Sequence, residues 1–399
     1  MKIIRAISPA LFILLVAATF ASAQANGPLS YRQLGELTAS DGRAQDLFGY
    51  SIALDGDTLV VGAPQSVGSA GKAYVFVKPA SGWGNMTQTA ELTPSDGVPG
   101  FFFGWKVAIS ADTIVVDAGS TDGTGLQAVY VFVKPSGGWS NMTETAKLTL
   151  PNGNFLYTVA VSGNTIAAGA TEETVGSNLY QGAVYIFERP NSGWRSGLAP
   201  RARLIASDGR SGDYLGIALS SFGNAVVATA IDHAAYVFLR PKGGWVSATQ
   251  SGEFTGSSGS DESGYSVAVN GGMVAVGAPE AGGQDYLGAA FVFGNHGGEI
   301  MASNPGNYNF FGASVAVSGN LTIVGANGVA VGGNQYEGAA YVFEDGVQVA
   351  ELTPTPGIAN EEMGWSVAAS GSTIAAGAVY ATVGFNALQG EVYVFGLLP

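Results

Sequence analysis

Along most of the chain, apolar and polar residues alternate in runs of five to seven, each run broken by glycine with serine, aspartate or asparagine. FGYSIALDGDTLVVGAP (48–64) and FGASVAVSGNLTIVGAN (311–327) are near copies of one such pattern. A period of two argues for strands that bury one face, and Asp55-Gly56-Asp57 between the two runs argues for a tight turn. No window carries the 3.6-residue spacing of an amphipathic helix. The pattern predicts many short strands and an all-β fold.

The strands repeat at long range. AYVF (73–76), VYVF (129–132), VYIF (184–187), AYVF (235–238), AFVF (290–293), AYVF (340–343) and VYVF (392–395) recur at intervals of 50 to 56 residues. Each copy reads as strand a (FGYSIAL), strand b (TLVVGAP), a longer loop, strand c (AYVFVKP), a Gly-Trp turn and strand d (TAELTPS). Seven copies of four short strands describe a seven-bladed β-propeller of four-stranded antiparallel blades. The a–b turn keeps glycine in six copies (Gly56, Gly163, Gly223, Gly271, Gly319, Gly371), as turns with positive φ require, and has Ala111 in the second. The seventh copy ends at strand c, whereas YRQLGELTAS (31–40) resembles a strand d with no strand a before it. That segment is expected to complete the last blade and close the ring, which removes exposed sheet edges.

Composition narrows the setting. Lys2 and Arg5, the apolar run at 10–20 and Ala21-Ser22-Ala23 have the form of a secretory leader over residues 1–23, followed by a short linker (24–30) and a single propeller over 31–399. No later stretch is long and apolar enough to span a bilayer, so membrane insertion is not expected. The chain has no cysteine, so packing rather than disulfides must hold it. Sixteen basic residues stand against thirty acidic ones; with Lys2 and Arg5 removed the balance is −16. Such a surface argues against nucleic acid as a partner. A secreted, periplasmic or cell-surface monomer is expected.

Phe48-Gly49 opening strand a, and Gly62-Ala63-Pro64 ending strand b, resemble the FG-GAP repeat of the integrin α-subunit N-terminal propeller and of many exported microbial proteins. The resemblance spans roughly residues 37 to 396 and implies a propeller that binds other molecules. FG recurs at 103–104 and 311–312. It is replaced by Leu156-Tyr157, Leu215-Gly216, Ser263-Gly264 and Met363-Gly364. GAP recurs at 277–279, with Asp117-Ala118-Gly119, Gly169-Ala170-Thr171, Ala228-Thr229-Ala230, Gly325-Ala326-Asn327 and Gly377-Ala378-Val379 in the other copies. The calcium loops that the resemblance would bring, D-x-D-x-D-G between strands a and b, are not recognisable in LDGDT or VSGNT. No metal or other cofactor is therefore expected.

In a propeller the b–c and d–a loops share one face. The b–c loops are the long, variable ones, and long loops on a rigid scaffold are where binding residues gather. They supply Tyr180, Tyr286, Asp285, Tyr336, Glu337 and Phe385 as candidate ligand-binding residues, an aromatic platform beside carboxylates suited to sugar or peptide. Trp83, Trp139, Trp194 and Trp245 repeat in the c–d turn and read as structural plugs. Tyr50, Trp105, Tyr265 and Trp365, just after the FG glycine, read as inter-blade core. His233 and His296 fall on opposite faces and cannot share a metal or a triad. With no carboxylate pair singled out by spacing, the expectation is a non-catalytic binding or adhesion propeller engaging an extracellular protein. A carbohydrate-binding propeller is the alternative and a carboxylate-based glycan enzyme the weaker third. Asn85, Asn141 and Asn320 fit the N-glycosylation sequon.

Overall fold

The structure, a computed structural model, describes residues 30–65, 70–119, 127–151, 156–231, 234–255, 264–294 and 297–397. The expected leader lies outside them, as do Asp122, His233 and His296. Seven sheets follow one another along the chain, with strands a to d in order from first to last. Blade 1 comprises Ser51–Asp55, Thr58–Ala63, Lys72–Val77 and Ala90–Thr93; blade 2 comprises Val107–Ser110, Thr113–Ala118, Ala128–Val133 and Ala146–Thr149. Blade 7 takes strands a to c from Met363–Ser370, Thr373–Ala378 and Glu391–Leu397. Its fourth strand is Tyr31–Thr38, antiparallel to Glu391–Leu397 with Glu36 opposite Tyr393 and Leu37 opposite Val392. Leu37 is fully buried there, beside Phe48 of the first blade.

Three sheets carry a fifth, two-residue strand that the sequence pattern does not announce. Met86–Thr87, Met142–Thr143 and Ala248–Thr249 pair in parallel with strand d of the preceding blade. The side-chain oxygens of Asn85 and Asn141 accept the N–H of Glu36 and Glu91 at 2.9 Å. Two of the three sequon asparagines thus close the outer edge of a neighbouring sheet. The Gly-Trp turns bury Trp83, Trp139, Trp194 and Trp245 between blades, as expected for plugs, and three of them launch these segments.

The repeat residues have separate structural duties. Strand c places its tyrosine and the phenylalanine two residues later on one face. The FG phenylalanine of the same blade packs against both: Phe48 lies 5.5 Å from Tyr74 and 5.9 Å from Phe76, and Phe311 repeats this with Tyr341 and Phe343. The tyrosine hydroxyl then reaches the d–a loop entering its blade, as in Tyr74 to Asp41 (3.0 Å), Tyr130 to Asp96 (2.8 Å) and Tyr236 to Asp208 (3.1 Å).

Register corrects the sequence alignment in two eroded copies. Ser51 pairs with Gly62 in blade 1, and Thr158 pairs with Gly169 in blade 3. Tyr157 is therefore the counterpart of Tyr50, and Leu156, not Tyr157, stands where the FG glycine belongs. In blade 4, Thr229 passes its carbonyl to Gly216 as Gly62 does to Gly49, so Thr229-Ala230-Ile231 is the GAP equivalent. Each copy lacks one of the two glycines that mark the frame, and alignment on the remaining letters slipped by one residue.

Candidate functional site

Each blade contributes the residue following its FG position to a ring around the axis: Tyr50, Trp105, Tyr157, Ile217, Tyr265, Ala313 and Trp365. All seven line one cavity of about 480 Å³. This overturns the reading of Tyr50, Trp105, Tyr265 and Trp365 as inter-blade core, for Tyr265 is 51% exposed and the other three are partly exposed. The physical reason is geometric. The sharp turn at the FG glycine points the next side chain at the axis, while the serine after it in four blades, Ser51, Ser266, Ser314 and Ser366, bonds the next blade. Tyr50 lies 4.5 Å from Trp105 and 5.5 Å from Trp365 between ring centroids. At one end the walls continue into b–c and d–a loops, through Pro279, Glu280, Phe310, Asn327, Glu362 and Tyr380.

The ring is polar as well as aromatic. Burial, then the neighbouring phenols of Tyr157, Tyr265 and Tyr380 and the carboxyl of Asp117, push the Tyr50 hydroxyl far above its ordinary range. On blade 2 the wall departs from the repeat: Lys106 stands where four of the other six blades have serine, and Asp117 where five of them have glycine. The Lys106 backbone N–H donates to Asp117 Oδ1 at 2.6 Å. Burial pushes the Asp117 carboxyl up to about 8 and draws the Lys106 amine down, each partly offset by the charge of the other. At the loop end, Glu362 accepts a hydrogen bond from Asn327 Nδ2 at 2.8 Å, and burial raises its carboxyl. Among the described residues, no cluster of three His, Asp or Glu could hold a metal ion.

The family profile described as FG-GAP repeat matches residues 31–76, 86–132, 297–343 and 347–395. Combined with seven sheets in a ring, this settles the family. The chain is an FG-GAP repeat propeller. No curated protein matches it. The two matched pairs of segments flank an unmatched stretch that holds blades 3 and 4 and most of blade 5.

The loop residues singled out from the FG-GAP sequence do not form one site. Tyr180, Tyr286, Tyr336 and Leu388 hold the same loop position, each with φ between 47° and 57°. Their carbonyls accept N–H groups from Tyr214, Phe310, Glu362 and Leu47 in the d–a loop of the blade junction. The recurring QG, LG and EG that follow belong to this clasp. Glu337 is 2% exposed, and Asn334 Nδ2 donates to its carboxylate at 2.7 Å and to the Gly357 carbonyl at 3.1 Å. Gln181 and Gln389 repeat that role beside Asn178 and Asn386. Glu337 is a loop fastener, inaccessible to a ligand. Tyr180 and Tyr336 remain exposed, Phe385 projects fully, and Tyr286 is half-buried against Tyr308 at 5.6 Å. Asp285 is exposed, its carboxylate accepting from Asn307 Nδ2 at 3.1 Å. The axial ring escaped the sequence reading, although the aromatic after four of the six FG-position glycines was its signal.

Proposed function

We propose that this FG-GAP propeller is an exported, non-catalytic binding protein, and that its ligand enters the axial cavity from the b–c/d–a face. One observation carries the reading: seven blades that differ widely in their loops all send one side chain to the same cavity, and five of those seven are aromatic. Aromatic walls with a few convergent polar groups are the usual chemistry of a binding pocket. The partner class implied by the integrin-like resemblance is an extracellular protein, docking on the loop face and inserting a side chain or bound group into the cavity. The propeller works as a monomer and needs no cofactor for this role.

Glycan recognition is the second reading, and the outer loops favour it. Tyr286 stacks on Tyr308 (5.6 Å, 26°) and Tyr180 on Tyr214 (5.8 Å, 19°). Flat aromatic pairs beside Asp285 and Asn307 suit the C–H face and hydroxyls of a pyranose.

A photo-crosslinking residue at Tyr265, in the mouth, tests the main reading against the same residue at Leu239, exposed near the opposite face. Adducts with a discrete protein of the native envelope or medium from position 265 alone support it. Equal labelling from both positions, or none, refutes it.

A further inference from the structure

We propose that the axial cavity receives a small organic carboxylate and that Lys106 is its anchor; the proposal deepens, and rests on, the reading of that cavity as the ligand site. At the position of Lys106 the other blades carry Ser51, Thr158, Ala218, Ser266, Ser314 and Ser366, and at the position of Asp117 they carry glycine or Thr229. These small residues let neighbouring blades approach. Replacing both by ionisable side chains in a buried wall works against folding, because charges lose hydration there. Local rules broken in this way concentrate at functional sites.

Geometry then says what the pair lacks. Asp117 is 1% exposed, and its Oδ1 is occupied by the Lys106 backbone N–H at 2.6 Å. Lys106 is partly exposed and lines the cavity. Among the described residues its Nζ makes no hydrogen bond and no ion pair within 4.0 Å, although Asp117 is near enough to stabilise its charge. Burial disfavours the charged amine while the cavity offers it no acceptor, and a ligand carboxylate supplies one, stabilising the ammonium form through charge-assisted hydrogen bonds. The carboxylates at the loop end, Glu280 and Glu362, come from the loops of blades 5 and 6 and not from blade 2. They favour placing the anionic end of a ligand at Lys106 and its uncharged body toward the mouth.

The walls define that body. Trp105, Tyr50 and Trp365 form a run of rings 4.5 and 5.5 Å apart. A cavity of about 480 Å³ accommodates one ring system with a short arm. The ligand class is an aromatic or alicyclic carboxylic acid, bound as its anion with a proton retained on Lys106.

Trp105 and Trp365 report directly, since the other four tryptophans are buried in the c–d turns away from the cavity. Tryptophan fluorescence is titrated with 3-phenylpropionate and with its uncharged amide, in the wild type and in Lys106→Met. The expected result is saturable quenching by the carboxylate at a concentration about tenfold below that for the amide, and equal affinities in Lys106→Met. Should Lys106→Met fail to fold, the wild-type comparison of carboxylate with amide decides alone. Equal affinities in the wild type, a preference that survives Lys106→Met, or no saturable quenching by the carboxylate overturns the proposal. Equal quenching by both probes removes the anchor but leaves the cavity a binding site, whereas the crosslinking experiment judges the cavity itself.

Discussion

A Cβ on Gly62 would lie 2.0 Å from the carbonyl oxygen of Gly104 in the next blade. The GAP glycine of one blade and the FG glycine of the next are therefore two sides of a single contact. It recurs at Gly277 with Gly312, Gly325 with Gly364, and Gly377 with Gly49 across the ring closure. The neighbouring serine completes it: Ser266, Ser314 and Ser366 donate their hydroxyls to the carbonyls of Gly312, Gly364 and Gly49 at 2.6–2.9 Å. Blade 4 solves the same problem in reverse. Ala218 replaces the serine, Thr229 replaces the glycine, and the Thr229 hydroxyl bonds the Gly264 carbonyl at 2.6 Å.

Gly62→Ala should accordingly cost more than a turn glycine replaced in open space. The obstacle at Gly62 is backbone, which cannot rotate away, and overpacking of this kind costs about 1–3 kcal/mol. Gly56, at φ +57° with nothing within 4 Å of a new Cβ, carries only the left-handed backbone penalty of about 1 kcal/mol. Urea unfolding of the two variants checks the order; a Gly56→Ala loss equal to or larger than that of Gly62→Ala contradicts it.

Ring closure makes a second demand. Leu37 sits in the N-terminal strand yet is buried against residues of blades 1 and 7. Leu37→Ala should lower stability by about 2–5 kcal/mol, the range for a leucine truncated in a packed core. A mobile leading segment would leave the variant unchanged. Deletion through Thr38 should abolish cooperative unfolding, because it bares the edge of Glu391–Leu397 along its whole length.

The loop fasteners predict a contrast at one position. Glu337→Gln keeps an acceptor for Asn334 and restores the residue found at Gln181 and Gln389, so stability should hold within about 0.5 kcal/mol. Glu337→Ala removes one of the two acceptors of the Asn334 amide and empties a buried position, and should cost about 1–3 kcal/mol. Thermal unfolding of both variants measures the difference. A ligand role for Glu337 would reverse the pattern, with stability untouched and binding lost.

The architecture was readable because a 50–56-residue period, turn glycines and an unpaired leading strand each carry one unambiguous constraint. The binding cavity was harder to read for a specific reason. Tyr50 and Ser51 are adjacent and equally apolar in context, and only the bend at Gly49 decides which one meets the axis and which meets Gly62. Asp41, Asp96 and Asp208 show another limit. Each is the centre of an S-D-G motif and anchors a strand-c tyrosine some 28 to 34 residues away, a pairing set by the stacking of loops on strands and not by local pattern. Glu337 looked like a ligand carboxylate because its charge was visible and its burial was not.

Stability should fall as pH rises from about 4.5 to about 7, and Glu361 is one of the buried carboxyls responsible. This carboxyl is 2% exposed at the junction of blades 6 and 7. Burial, then the charge of Glu391, pushes it up to about 7, with Glu337 adding to the effect and a hydrogen bond from Tyr393 (3.2 Å) opposing it. Burial raises Glu391 in the same direction. A group whose pKa is higher folded than unfolded gives the native state the larger number of bound protons between the two values. Its contribution is whole below the unfolded value of 4.5 and is lost as pH climbs through about 7. Urea midpoints at pH 4.5, 5.5, 6.5 and 7.5 should therefore decline in the wild type. Glu361→Gln, which cannot ionise, should make that slope shallower, the raised carboxyls of Asp117, Glu362 and Glu391 keeping the remainder, and should be the more stable protein at pH 7.5. A wild-type midpoint that rises over this interval, or an equally steep decline in Glu361→Gln, would show that the junction carboxyls ionise freely in the folded ring.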